Sequence, residues 1–220
     1  MRTHMSRTVS SCFAVLRQLH SIRQSTSPAV LLLLVVLLVL SRLDYGNATL
    51  AGLPGHQLNR LQSVMNAAER LVCSARNYEH ISLLLCDLQW LWVPEWTEFK
   101  LSMLVFRCLH GTALPYLVSE LRRVADVDTR KRLRPTSMSA LVTPSSCRTT
   151  IGDRAFLAAL CIWNTLPSSI TASGTLNTFK RRLKMHLFVP SFTSIFPNCV
   201  QRILFCILTL ISVLEVIFTK

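Results

Sequence analysis

The chain has 220 residues, enough for one domain or two small ones, and its 50% hydrophobic and 16% charged residues exclude general disorder. Its formal net charge is +13, which predicts a polyanionic partner, either nucleic acid or an anionic membrane surface, unless the basic composition is merely inherited. The eight cysteines form no CxxC pair and lie mostly in apolar segments, so we expect small buried side chains in a reducing compartment and neither a zinc site nor a disulfide framework.

Two helices are predicted in the N-terminal part. Residues 1–27 are basic and contain no acidic residue, and their apolar positions predict an amphipathic helix over residues 8–24. Ser27 then suits an N-cap and Pro28 the first turn of a second helix. Its run AVLLLLVVLLVL at residues 29–40 is apolar on all sides but shorter than the roughly 20 residues that span a bilayer. A buried core helix is therefore the first interpretation, and a signal-anchor is the second.

The most regular helical pattern of the chain begins at residue 58 and ends at residue 73. Its apolar residues, spaced three and four apart, lie on one face of a helix and are Leu61, Val64, Met65, Ala68, Leu71 and Val72. Polar residues, including Arg60, Glu69 and Arg70, fall largely on the other face. We expect this helix to organise the fold, because its apolar stripe must pack against the segments on either side.

Three further helices are predicted in the middle of the chain, over residues 81–88, 95–110 and 113–124. Gly111 suits the C-terminal end of the second of these helices. The tryptophans at positions 90, 92 and 96 could stack on nucleic-acid bases, but we favour a position in the core for them.

Residues 125–139 have no hydrophobic period and are predicted to form a basic linker. Their cluster Arg130, Lys131 and Arg132 either contacts phosphate or faces solvent. Residues 140–151 predict two short extended segments around a turn, and residues 153–165 predict a helix.

The last periodic helix is predicted over residues 175–188. Its apolar stripe consists of Leu176, Phe179, Leu183 and Leu187, and four cations lie mostly outside that stripe: Lys180, Arg181, Arg182 and Lys184. A basic amphipathic helix of this kind suits nucleic acid or an anionic surface.

The C-terminal tail contains a second apolar run, ILFCILTLISVLEVIF at residues 203–218. It lies near the lower length limit for a membrane span and is either a tail anchor or a segment without a role. The triplet at residues 47–49 is a glycosylation acceptor, which matters only if this loop reaches the secretory lumen.

Short motifs recur along residues 9–188 in a definite order. They are SRLDY at 41–45, LAGLP at 50–54, LQ at 61–62, NAA at 66–68, LQWL at 88–91, LHG at 109–111, GDRAF at 152–156, WNTLP at 163–167 and FKRRLK at 179–184. In this order and spacing they resemble the region downstream of the palm in the reverse transcriptase of LINE-type, non-LTR retrotransposons.

The resemblance implies a mainly α fold. Residues 1–124 would form a thumb-like helical bundle and 125–139 the basic linker. Residues 140–188 would form a smaller α-rich element containing a short β pair. The resemblance ends near Phe188, and the residues themselves predict that 189–220 form a hydrophobic tail with a C-terminal helix. In the resembling enzymes the thumb holds the template–primer duplex. Carried over to this chain, the resemblance makes Arg60, Arg70, Lys180, Arg181, Arg182 and Lys184 the expected phosphate contacts to RNA or DNA.

Catalysis is not expected of this chain. Polymerases of the resembling kind hold two magnesium ions with paired aspartates that include two adjacent ones, and this sequence has no two adjacent aspartates. The endonuclease half is missing as well, and there is no GxSxG, HExxH or P-loop motif. We therefore expect no cofactor, no metal and no small-molecule substrate.

Two functional hypotheses follow. The first is a non-catalytic fragment of a retrotransposon reverse transcriptase that retains binding to RNA/DNA hybrids, in the cytoplasm or nucleus. The alternative is a small membrane-anchored protein held by residues 29–40, residues 203–218 or both. A translated relic without a selected function is a third interpretation.

Overall fold

The computed structural model describes residues 2–45, 47–76, 79–123, 140–143 and 151–193, and these are mainly helical. In chain order the α-helices are α1 (Arg2–Ile22), α2 (Pro28–Val35), α3 (Ser41–Asp44), α4 (Gly55–Cys73), α5 (Ile81–Leu88), α6 (Val93–Leu109), α7 (Pro115–Glu120), α8 (Ile151–Thr165), α9 (Ser168–Thr171) and α10 (Leu176–Thr193). Short 3-10 helices occupy Arg23–Ser25 and Asn47–Leu50, and a π-helix occupies Val36–Leu40.

The chain divides into two compact units. Described residues in 2–47, 53–94 and 191–193 form unit 1, and those in 48–52 and 95–190 form unit 2.

Unit 1 is built around α4, which packs against α1, α2 and α5. The predicted stripe of α4 is buried at Leu61, Val64, Met65, Ala68 and Leu71, which confirms the helix and its inward face. Burial of each of the leucine, valine and methionine side chains among them contributes roughly 1.5–3 kcal/mol. The inward face of α1 is likewise buried, at Met5, Val9, Cys12, Leu16 and Leu19. The organising role of α4 therefore follows from its apolar stripe.

The apolar run after Pro28 forms consecutive helical turns, α2, the π-helix and α3. Ser27 accepts a hydrogen bond from the Val30 amide and Pro28 is the first helical residue, as predicted. The inner side of the run is buried at Leu31, Val35, Val36, Val39 and Leu40. The outer side is 39–48% exposed at Val30, Leu33, Leu37 and Leu38. The run is thus a core helix on one side with an apolar outer face on the other.

Unit 2 has a core of aromatic and aliphatic side chains from α6, α8 and α10. The rings of Phe106 and Phe179 stack with centroids 4.3 Å apart, and Trp163 lies 5.7 Å from Phe179. Leu183 and Phe188 are also fully buried. The stripe predicted for the last helix is therefore the face that α10 packs inward.

The predicted β pair is wrong for the described residues, which contain no β-strand. Arg123 and Leu141 form one isolated antiparallel bridge. The Asn164 side chain holds Leu141 by accepting from its amide and donating to its carbonyl, each at 2.9 Å. Ile151, expected in the second extended segment, instead begins α8. The Asn164 side chain thus fixes Leu141 in the described part of the chain, and residues 144–150 of the predicted extended pair lie outside the described residues.

The prediction that the cysteines are buried is confirmed only in part. Cys12 and Cys108 are buried and burial raises the pKa of both thiols, whereas Cys161 is exposed. The predicted basic linker and the apolar run at residues 203–218 lie outside the described residues, whereas residues 189–193 of the predicted tail belong to α10. Within residues 2–193, as far as they are described, no helix is long and apolar enough to cross a bilayer.

Candidate nucleic-acid interface

The clearest exposed cations of the candidate set lie on α10. Arg181 and Arg182 are exposed and Lys180 is half-buried. The guanidinium of Arg182 donates from Nη1 to the Ser169 carbonyl oxygen at 2.7 Å, which attaches it to α9. A guanidinium has five N–H donors, so this contact leaves others available for phosphate. The opposite face of α10 is buried at Phe179 and Leu183, so these cations are carried by an anchored helix.

Lys184 differs from the other cations of α10. It is only 9% exposed, and burial lowers the pKa of its ammonium from 10.5 to about 8. The prediction that it lies mostly outside the apolar stripe is wrong, because Phe188, one turn later on the same side of the helix, is buried too, so the buried face extends to Lys184. It is therefore poorly placed to contact phosphate.

The two arginines predicted on α4 have different surroundings. Arg60 is exposed, and its Nη1 donates to the Ser6 hydroxyl oxygen at 3.1 Å. Arg70 is half-buried, and its Nε atom is buried without a hydrogen-bond acceptor in the described part of the chain. Of this pair, only Arg60 is an exposed residue. Arg60 belongs to unit 1, whereas Lys180, Arg181 and Arg182 belong to unit 2.

The remaining candidates, Arg130, Lys131 and Arg132, lie outside the described residues.

Arg60 also lines a cavity that the sequence did not predict. The cavity has a volume of about 240 Å³ and is lined by Met5, Ser6, Val9, His56, Gln57 and Arg60. The first turn of α4 supplies His56 and Gln57, and α1 supplies Met5, Ser6 and Val9. No local motif marks this combination, because it forms only when the two helices pack together.

Glu69 is, after Lys184, a second titratable group that sequence reasoning placed wrongly. It was predicted on the polar face of α4, but it is fully buried and neither carboxylate oxygen has a hydrogen-bond partner among the described residues. Burial raises the pKa of this carboxyl from 4.5 to about 8, and the nearby positive charge of Arg70 opposes the rise only in part. Glu69 is therefore mostly protonated at neutral pH. The available signal was its position one turn after Met65, at the margin of the stripe.

Other candidate groups are accounted for by packing. The tryptophans at positions 90, 92 and 96 are each half-buried. His110, at the C-terminal end of α6, stacks on Phe106 with ring centroids 3.9 Å apart, and its Nδ1 lies 2.9 Å from the Phe106 carbonyl oxygen. In the parts of the chain that the structure describes, no three His, Cys, Asp or Glu side chains are grouped so as to hold a metal ion.

The described residues offer exposed cations on two helices that are anchored by buried faces, α4 and α10. Such cations can neutralise phosphates, and because they meet the backbone they do so without reading base sequence. Comparisons with protein families, with curated proteins and with solved structures find no match to this chain.

Proposed function

We propose that this chain is a non-catalytic nucleic-acid-binding protein, derived from the thumb and downstream region of a LINE-type reverse transcriptase. The observation that carries the proposal is the pair of exposed cations Arg181 and Arg182 on α10, with the half-buried Lys180 next to them, on a helix whose apolar side is buried. A second contact is proposed at Arg60 on α4. Lys184 and Arg70 are left out of the phosphate-contacting set because of their burial.

The fixed position of Arg182 on α10 favours phosphate binding. Ordering a long cationic side chain on binding loses conformational entropy, and Arg182 loses less because its guanidinium is already hydrogen-bonded to the Ser169 carbonyl oxygen. An RNA–DNA duplex presents closely spaced phosphates, and three neighbouring cations on one helix can contact several of them. Binding of this type depends strongly on salt, since each contact releases condensed counterions.

The experiment compares two variants of equal charge. The triple variant Lys180→Gln, Arg181→Gln, Arg182→Gln removes the basic face of α10. The control Arg7→Gln, Arg17→Gln, Arg23→Gln removes the same charge from α1 and the turn that follows it. We measure dissociation constants for a short RNA–DNA hybrid between 50 and 200 mM salt. Loss of three phosphate contacts should make the logarithmic salt slope shallower by roughly 2–3 in the α10 variant, with little change in the control. Equal affinities and slopes in the two variants would reject the proposal.

Membrane attachment is the second candidate, and one observation favours it. Val30, Leu33, Leu37 and Leu38 expose an apolar face on the helical run that begins at Pro28. Against it, Asn47 of the glycosylation triplet is only 5% exposed, so a glycan there would require local opening. Recovery of the protein in the membrane pellet after carbonate extraction, with a glycosidase-sensitive shift abolished by Asn47→Gln, would favour attachment over the first proposal.

A further inference from the structure

The helical run from Pro28 to Leu40 has an apolar outer side, which we call the outer face. Its members are 39–48% exposed and are Val30, Leu33, Leu37 and Leu38. The π-helix Val36–Leu40 places the last two of them in one wide turn. No other helix described in unit 1 exposes more than one large apolar side chain. A contiguous apolar patch, unlike scattered single residues, is typical of a surface that another element covers.

The second apolar run of the chain, residues 203–218, has the residue pattern of such an element. On a helix its polar residues Thr209, Ser212 and Glu215 recur every third position and share one narrow side. Opposite them runs an apolar stripe with intervals of four, three, four and three residues, formed by Ile203, Ile207, Leu210, Leu214 and Ile217. A lipid-surrounded span needs no polar side, whereas a helix that covers a protein surface is amphipathic. The pattern therefore favours packing against protein.

The place of this run in the chain allows it to reach the outer face. α10 ends at Thr193, and residues 191–193 belong to unit 1, as the outer face does. The connection over residues 194–202 can extend to about 30 Å, the diameter of a small domain. A helix over residues 203–218 is about 24 Å long, whereas the outer face from Val30 to Leu38 occupies about 12 Å. The run is thus long enough to cover the whole face.

We propose that residues 203–218 form an amphipathic helix that packs on the outer face of the same molecule. Its apolar stripe covers Leu33 and Leu37, and its polar side, with Glu215, faces solvent. Both surfaces lose contact with water, which is favourable. A segment of the same chain also avoids the translational and rotational entropy that a second copy or a separate partner loses on binding. The inference goes beyond nucleic-acid binding, and it gives the outer face a role other than membrane attachment.

Hydrogen–deuterium exchange of the full chain, followed by mass spectrometry, tests this contact. An isolated helix of this length is marginal in water, so slow exchange of the amides at 203–218 reports packing. Leu37→Glu places a charge in the proposed contact and should raise their exchange rate about tenfold or more. Leu83→Glu is the matched control, because it makes the same change at a 42% exposed position of α5 and should leave that rate unchanged.

A reciprocal pair of variants lies in the run itself. Leu210→Glu, in the apolar stripe, should raise the exchange rate as Leu37→Glu does, whereas Thr209→Glu, on the polar side, should not. Far-ultraviolet circular dichroism shows that each variant is folded. Leu33→Gln, at a 47% exposed position, replaces Leu37→Glu if that variant does not fold.

The proposal is supported if Leu37→Glu and Leu210→Glu exchange faster than their controls in a protein that light scattering shows to be monomeric. Unprotected amides at 203–218 in the wild-type protein, or equal rates in Leu37→Glu and Leu83→Glu, overturn it. Protection that appears only as the protein concentration rises identifies a second copy as the occupant. Protection that appears only with phosphatidylcholine–phosphatidylserine vesicles identifies a membrane. Either of these two results also overturns the proposal.

Discussion

The pH dependence of stability can be predicted from Glu69, because this carboxyl group is buried without a hydrogen-bond partner in the described chain. Its pKa is about 8 in the folded protein and about 4.5 in the unfolded chain, so folding requires the carboxylate to take up a proton. The contribution of this group to stability is therefore most favourable below pH 4.5, decreases as the pH rises, and reaches its minimum above pH 8.

The magnitude follows from proton linkage. Each tenfold change in proton affinity corresponds to about 1.4 kcal/mol, so the burial of Glu69 costs about 3 kcal/mol at pH 7 and about 5 kcal/mol above pH 8. Glu69→Gln replaces the carboxyl group by a neutral amide of nearly the same shape, so the side chain can no longer titrate. We expect the variant to match the wild-type protein near pH 4 and to exceed it in unfolding free energy by about 3 kcal/mol at pH 7.

Urea unfolding followed by far-ultraviolet circular dichroism, in a reducing buffer between pH 4 and pH 9, measures this difference. The control is Glu79→Gln, the same chemical change at an exposed carboxylate. The stability difference between Glu69→Gln and wild type should widen steadily with pH, whereas that of the control should stay nearly constant. Parallel pH profiles for wild type and Glu69→Gln would show that the reasoning from burial is wrong.

Two further outcomes are expected. Lys184 has a pKa of about 8 in the folded protein and 10.5 in the unfolded chain. Lys184→Met should therefore stabilise the protein by about 3 kcal/mol at pH 7, and this advantage should disappear as the pH rises from 8 to 10.5. A stability difference in urea unfolding that does not change with pH would contradict this. Leu61→Ala should lower the free energy of unfolding by about 2–5 kcal/mol because the side chain is buried, whereas Leu83→Ala, at a 42% exposed position, should lower it by less than about 1 kcal/mol. Equal decreases in melting temperature for the two variants would refute the assignment of Leu61 to the core.

Periodicity alone was sufficient for the helices whose apolar stripes are regular. The face of α4 with Leu61 and Val64, and the face of α10 with Phe179 and Leu183, are buried as the spacing predicts. Ser27 and Pro28 likewise mark the start of α2, because capping depends on the residues of the first turn and on little else. These features are local, so the sequence carries them without reference to the rest of the fold.

Residues at the margin of a stripe were less predictable. Glu69 and Lys184 both lie beside the apolar face of their helices, and whether such a side chain is covered depends on which helix packs there. The same holds for Leu141, where an extended segment was expected to pair with a strand but instead meets the Asn164 amide. Which residue distant in sequence contacts an extended segment depends on how the helices pack around that segment.

The sequence by itself determined a mainly helical chain, the inward faces of its regular helices and its strong positive charge, because these depend on residue type and spacing. Only the tertiary structure decided which charges stay accessible. Lys180, Arg181 and Arg182 remain outside the core of unit 2 while Lys184 is drawn into it. It also created the cavity beside Arg60, since that space exists only where α1 lies against the start of α4. The physical reason is that burial belongs to the packed assembly of helices, whereas periodicity belongs to each helix alone.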